Sequence, residues 1–168
     1  FLSMWISNTA TAAMMLPLGL GILSLMGGEP GKSRYGTALM LGIAWAASIG
    51  GVGTIIGTPP NGIALGILNS TFGNDPTYHR ITFLDWMKFG VPYVLMYLPV
   101  AWFILLKLHP PEVISLPGGK ERLLQDRRAL GPLSSGERGT IVVFLLAVSL
   151  WVTNPFLDSL LPAWWQRD

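Results

Sequence analysis

Residues 35–74 form a stretch of forty positions with no Asp, Glu, Lys, Arg or His, interrupted past its middle by Gly57-Thr58-Pro59-Pro60-Asn61. About 20 apolar residues suffice to cross the hydrocarbon core of a bilayer, so forty are too many for one straight span. The middle is also too polar for two simple spans. Ser48-Ile49-Gly50-Gly51-Val52-Gly53-Thr54 loosens any helix there, and Pro59-Pro60 end it because neither has an N–H to donate. The pattern predicts one broken helix: residues 35–56, a non-helical link, then 61–72. Inside a bilayer, backbone that leaves the helical path is tolerated only where protein buries it or where it lines a cavity. The break is therefore a candidate site.

A second uncharged cluster lies about fifty residues upstream. FLSMWISNTATAAMMLPLGL carries Ser7-Asn8-Thr9, then Thr11, small residues and Pro17. Residues before the cluster read as one arm of a re-entrant hairpin, and 11–26 as the returning helix, so residues 1–26 form one unit. Composition agrees with a membrane setting: 51% of the chain is hydrophobic and 12% charged, against about 25% charged in soluble domains. Mean hydropathy is +0.50. Seven Trp and twenty Gly suit membrane helices and their interfaces. With no Cys, disulfides and thiolate metal or catalytic sites are excluded.

The remaining chain alternates polar connections with apolar spans. Residues 27–34 are a Gly- and Pro-rich turn, and 73–85 a short polar loop. Residues 86–108 read as a span with Pro92 and Pro99 inside it. Residues 109–138 read as a linker with one short amphipathic helix near 120–129, whose charges suit a solvated face at lipid headgroups. A last span is expected over 139–157, with Trp164-Trp165 at an interface. No repeat is visible. The chain starts at Phe1 inside an apolar segment and ends at Asp168 just after another, which reads as a piece of a longer protein. If the turn and the linker share a face, Lys32, Arg34, Lys107, Lys120, Arg122, Arg127, Arg128 and Arg138 stand against Arg80, Lys88 and Arg167. Eight against three places the linker in the cytoplasm. A net charge of +2 then records topology and points to no nucleic acid.

The two clusters have a chemistry in common. A sodium ion takes hard oxygen ligands, and neutral ones serve if helix C-terminal ends add about half a negative charge each. Ser3 and Ser7, four apart, share a face if that segment is helical. Asn8 adds an amide oxygen, and the Gly57 carbonyl can approach closely because no Cβ intervenes. A bound anion needs donors instead: the Asn8 amide, the Thr9 and Thr58 hydroxyls, and the free N–H groups that start each half-helix. No Lys, Arg or His lies in residues 1–28 or 35–74, so a bound cation must neutralise any carboxylate. The competing structural reading is that Ser and Thr bond back to their own helix and that Gly50-Gly51-Val52-Gly53 is a packing face. Two uncharged breaks, both with Asn and Thr, favour a site. Asp75, His79, Arg80 and Asp85 form an acid–base set on paper but sit in the exterior loop.

The stretches SMWISNTATAAMMLP (3–17) and SIGGVGTIIGTPPN (48–61) resemble the divalent anion/sodium symporter family, carriers of di- and tricarboxylates and, in some branches, sulfate. Their order and separation match the family's N-terminal half. The resemblance implies an all-α polytopic membrane protein, one half of an inverted-repeat transporter with a re-entrant hairpin and a broken transmembrane helix (35–72). Carried over by motif, Ser3, Ser7, Asn8 and Gly57 correspond to a sodium site, and Asn8, Thr9, Thr58 and Pro59 to the substrate pocket. A second Ser-Asn-Thr tip and a second broken helix are absent from these residues, so half of the implied cage lies elsewhere.

The expected protein is a transporter rather than an enzyme. It is expected to take up small divalent anions such as succinate, or citrate or sulfate, coupled to sodium and without a cofactor, by an elevator-like motion. A homodimer in a bacterial inner membrane is implied. The rivals are a sodium-independent dicarboxylate exchanger of the same fold and a non-transporting membrane subunit. The first needs fixed positive charge near its anion, and the second has no need of two aligned oxygen clusters.

Overall fold

The computed structural model describes residues 1–26, 31–110, 128 and 131–160, with side chains through 153. Among these residues the regular structure is entirely helical: a 3-10 turn at Leu2–Met4, then α1 (Asn8–Leu25), α2 (Arg34–Gly51), α3 (Pro59–Phe72), α4 (Phe83–Leu108) and α5 (Ser135–Leu160). Three helices are long and apolar enough to cross a membrane: α1, α4 and the described part of α5. At 14 residues, α3 is about 21 Å long, short of a bilayer core of roughly 30 Å.

Caps explain where the helices start. The Ser7 hydroxyl accepts from the Ala10 N–H at 3.2 Å and opens α1, and Ser33 accepts from Gly36 at 3.2 Å and opens α2. Thr82 and Asp85 form a reciprocal capping box at α4. Ser134 and Glu137 do the same ahead of α5, with bonds of 2.7, 2.8 and 3.3 Å. These boxes satisfy the first N–H groups, so α4 begins at Phe83 rather than 86 and α5 at Ser135 rather than 139. Pro17, Pro92 and Pro99 sit inside helices, and α5 runs on to Leu160.

The uncharged stretch is indeed broken, but its boundaries differ from the sequence reading. α2 stops at Gly51 rather than 56, and the link runs over 52–58. Pro59 and Pro60, expected in the link, are the first two residues of α3. The physical reason is positional: the first helical N–H groups have no intrahelical partner, so proline loses nothing there, and its fixed φ favours the turn.

α2 is the centre of the arrangement. It packs along α1 and along α4 and touches the 3-10 turn, whereas α5 meets α4 sparsely among the described residues. Leu23 of α1 closes on Gly36 of α2, where an added Cβ would lie 3.0 Å from both Leu23 methyl groups. Trp5 lies between Phe83, tilted at 6.2 Å, and Phe144, edge-on at 6.0 Å, and Phe83 meets Trp151 at 6.4 Å. Four rings thus tie the start of the chain to α4 and α5. Residues 27–30 of the turn, residues 111–127 and 129–130 of the linker, which take in all but one residue of its expected helix at 120–129, and Trp164-Trp165 lie outside the described residues.

Candidate functional site

The break in the α2–α3 stretch is packed against the start of the chain by named donors and by glycine contacts. The Thr54 hydroxyl, fully buried, donates to the Met4 carbonyl. Asn61 Nδ2 donates to Gly51 O and to Thr54 O, each at 2.8 Å. Trp86 Nε1 of α4 donates to Val52 O at 2.9 Å. These carbonyls lose their helical partners where α2 ends, and side chains replace them. Gly90 lets α4 approach the link: a Cβ there would meet Gly53 O at 2.8 Å and Val52 O at 2.9 Å.

Gly51 is the common neighbour of the two clusters. A Cβ on Gly51 would lie 2.2 Å from Asn8 Oδ1, so the Asn8 amide rests directly on the α2 backbone. A Cβ on Gly57 would lie 2.4 Å from Gly51 O, so the link folds back onto the same residue. Ser3, buried, places its Oγ 2.5 Å from Asn8 Oδ1 and 2.5 Å from Ala47 O. One hydroxyl proton cannot serve two acceptors. Both contacts are satisfied when the Asn8 amide is turned so that Nδ2 donates to Ser3 and Ser3 donates to Ala47. Asn8 then keeps an oxygen for the cavity it lines.

That cavity, of about 530 Å³, is walled by Asn8, Thr9, Ala12, Ala13 and Leu16 of α1 and by Met40, Ile43, Ala44, Ala47 and Ser48 of α2. Thr9 is exposed at its rim. The backbone N–H groups of Asn8 and Thr9 have no hydrogen-bond partner among the described residues, as expected of a helix start. The C-terminal end of α2 brings partial negative charge to this region, and the start of α1, with its unpartnered N–H groups, brings partial positive charge. One end can favour a cation and the other an anion.

The structure thus brings Asn8 and Gly57 together at Gly51, with Ser3 joined to Asn8 and packed beside Gly50, and Thr9 next to Asn8. Ser7 is different. Its backbone (φ −56°, ψ 147°) is non-helical and its side chain is exposed at the cap of α1, so Ser3 and Ser7 do not share a helical face. Thr58 caps α3 without a side-chain bond, and Pro59 is exposed; neither lines the cavity that holds Thr9. The expectation that α3 offers free N–H groups also fails. Pro59 and Pro60 have none, and the Asn61 N–H is taken by Thr58 O at 3.1 Å.

Asn61 and Thr54 were not singled out in the sequence as site residues, and they organise the break. Ser48, inside the quoted motif, joins the cavity wall. The acid–base set of the 73–85 loop dissolves into local structure. Asp75 accepts from the Thr77 hydroxyl at 2.7 Å and the Thr77 N–H at 2.8 Å, which hold its carboxyl below the usual range. Asp85 caps α4 and pairs with Lys88 at 2.6 Å. A separate apolar groove of about 620 Å³ between α1, α2 and α4 includes Thr11 and His109, whose Oγ1 and Nδ1 are buried without partners. No group of His, Cys, Asp or Glu suited to a transition metal occurs among the described residues.

Residues 1–161 match the sodium:sulfate symporter transmembrane region. The chain belongs to this family. It is 39% identical over 165 residues to a sodium-dependent dicarboxylate transporter, SdcS, of Staphylococcus saprophyticus, covering 94% of the chain and 31% of that protein. An uncharacterized transporter of Haemophilus influenzae is 38% identical over 167 residues, covering 96% and 32%. SdcS of Staphylococcus aureus (strain NCTC 8325) is 35% identical over 165 residues, covering 94% and 31%. The chain therefore spans about a third of the length of the relatives it matches. These relatives are transporters by name.

Proposed function

We propose that this chain supplies one half of the binding site of a sodium-coupled transporter for small dicarboxylates. The observation that carries the reading is the convergence of Asn8 and Gly57 on Gly51, with Ser3 bonded to Asn8 and packed beside Gly50, and with no Lys, Arg or His anywhere in residues 1–28 or 35–74. Neutral oxygens beside a helix C-terminus suit an alkali cation. The Thr9 hydroxyl and the free N–H groups of α1 suit a carboxylate. With no fixed positive charge, the cation and the anion depend on one another, which is the physical basis of symport. The names of the two SdcS relatives agree with sodium and dicarboxylate. Ser3, Ser7, Asn8 and Gly57 are assigned to sodium, and Asn8, Thr9, Thr58 and Pro59 to the anion. Succinate is the representative substrate, with citrate or sulfate as the neighbouring choices.

The complete protein is proposed to be a dimer in a bacterial inner membrane, with the 109–138 linker cytoplasmic and the hairpin and broken helix moving together past a scaffold. Tight packing of α1, α2 and α4, against the sparse attachment of α5, supports such a division. The test is uptake of labelled succinate into proteoliposomes by the complete transporter across a sodium series. Asn8→Ala raises both the sodium and the succinate constants. Ser7→Gly, which keeps an acceptable helix cap, raises the sodium constant alone, and Thr9→Ala weakens mainly the anion. Each loss is expected to be roughly five- to hundredfold, the scale of one buried polar contact. Uptake that ignores sodium while the anion still exchanges would replace this reading with the exchanger.

A further inference from the structure

We infer that Asn61 is a positioning residue for the cation site, holding the Gly57 backbone in place without touching the ion. The inference rests on the sodium-coupled reading above. Asn61 lies in the first turn of α3 and is 7% exposed. Both protons of its Nδ2 are used, one on Gly51 O and one on Thr54 O. It therefore ties the first turn of α3 to the end of α2 and to the link between them.

Gly57 lies inside the loop that these bonds close. Its Cα rests against Gly51 O, the same carbonyl that Asn61 holds, and its N–H bonds to Thr54 O at 3.3 Å, the other carbonyl that Asn61 holds. The link's carbonyls are thereby sorted. Those of Gly51, Val52 and Thr54 are occupied by Asn61 and Trp86 and that of Thr58 by the Asn61 N–H, while those of Gly53, Ile55, Ile56 and Gly57 accept no hydrogen bond among the described residues. Of these four open carbonyls, that of Gly57 belongs to the residue whose own N–H and Cα pack on the two carbonyls that Asn61 holds, and it is the one assigned to the cation. Without the two Asn61 donors, Gly51 O becomes an unpartnered buried acceptor and Thr54 O keeps only the 3.3 Å bond from the Gly57 N–H. The link relaxes to satisfy them and Gly57 moves with it. The donors on α1 that face the anion, Thr9 and the N–H groups of Asn8 and Thr9, are not held by Asn61.

The consequence is a split between two constants. Asn61→Asp keeps the shape and removes both donors when ionised, and its protonated form returns one. A carboxyl taken out of water holds its proton more tightly than one in water, so the two forms are compared at two pH values. In the complete transporter in proteoliposomes, N61D at pH 8 is expected to need roughly five- to hundredfold more sodium for half-maximal succinate uptake. The succinate constant at saturating sodium should stay within about twofold. Lowering the pH to 5.5 should recover part of the sodium affinity in N61D but not in Asn61→Ala, with wild type measured alongside. Asn61→Ser, which keeps one donor, should fall between wild type and N61A and serves if N61D does not fold. Equal loss for sodium and succinate, or an N61D sodium constant equal to or lower than wild type, overturns the inference while leaving sodium coupling intact. A wild type that takes up succinate without sodium overturns the coupling itself, and this inference with it.

Discussion

At Gly57 there is no room for a methyl group: the nearest atom to an added Cβ is a backbone oxygen at 2.4 Å, and backbone cannot rotate aside as a side chain does. Gly57→Ala must push the link off Gly51, an overpacking that costs about 1–3 kcal/mol. If that displacement falls on the sodium-bound geometry, half-maximal sodium rises at least fivefold, while the protein still reaches the membrane. Sodium-dependent uptake and surface labelling of the same cells measure the two. Unchanged sodium dependence in this variant would remove Gly57 from the site. Ser3 and Asn8 were legible in the sequence because short oxygen side chains stand out in an uncharged stretch. Thr54 and Asn61 share those side-chain chemistries, yet their role was not legible. A side chain that bonds the chain's own carbonyls looks, in one dimension, like one that faces a ligand. What separates them is the 3-10 turn lying across α2, a contact between residues fifty apart.

At the scale of elements, the break itself was readable and its ends were not. Proline was taken as the stop signal, while the helix had already ended at Gly51 among small residues that leave α2 little to bury beyond that point. Capping boxes likewise moved the starts of α4 and α5 outward, since Thr82–Asp85 and Ser134–Glu137 add a turn that hydropathy alone does not show. The order of elements has a topological consequence. If α1 descends from the cavity to the 27–34 turn and α2 and α3 together cross in the other direction, Lys32 and Asn74 lie on opposite faces. In this Cys-free chain, Lys32→Cys should react with an impermeant maleimide only from the cytoplasmic side, and Asn74→Cys only from outside. Gln125→Cys should follow Lys32→Cys. Labelling of positions 32 and 74 from the same side would mean that α2 and α3 fold back together, and the broken-helix reading would fall.

At the scale of the whole molecule, the described residues form a tight unit of α1, α2 and α4 with α5 at its edge. Val143, Leu146 and Leu150 of α5 are exposed, as are Phe103 and Leu108 of α4. Exposed apolar surface on this scale suits lipid or further helices. The site is open in the same sense, since Asn8 and Thr9 face a cavity walled by only two helices. A dicarboxylate has two negative groups, and the described residues offer donors for one and neutral oxygens for one cation. Two charges held by a single neutral cluster leave one carboxylate without a partner in a low-dielectric setting, a cost of several kcal/mol. The chain alone, inserted in vesicles, should therefore show no sodium-dependent succinate uptake above empty vesicles. It should still show protection of a cysteine placed at Ser48, on the cavity wall, when sodium is raised, because the four residues proposed for the cation all lie in this chain. The complete transporter, which in the relatives is about three times as long, should show both. Uptake by the isolated chain would mean that one cluster suffices for a dianion, and that the missing charge comes from a second copy of the same chain.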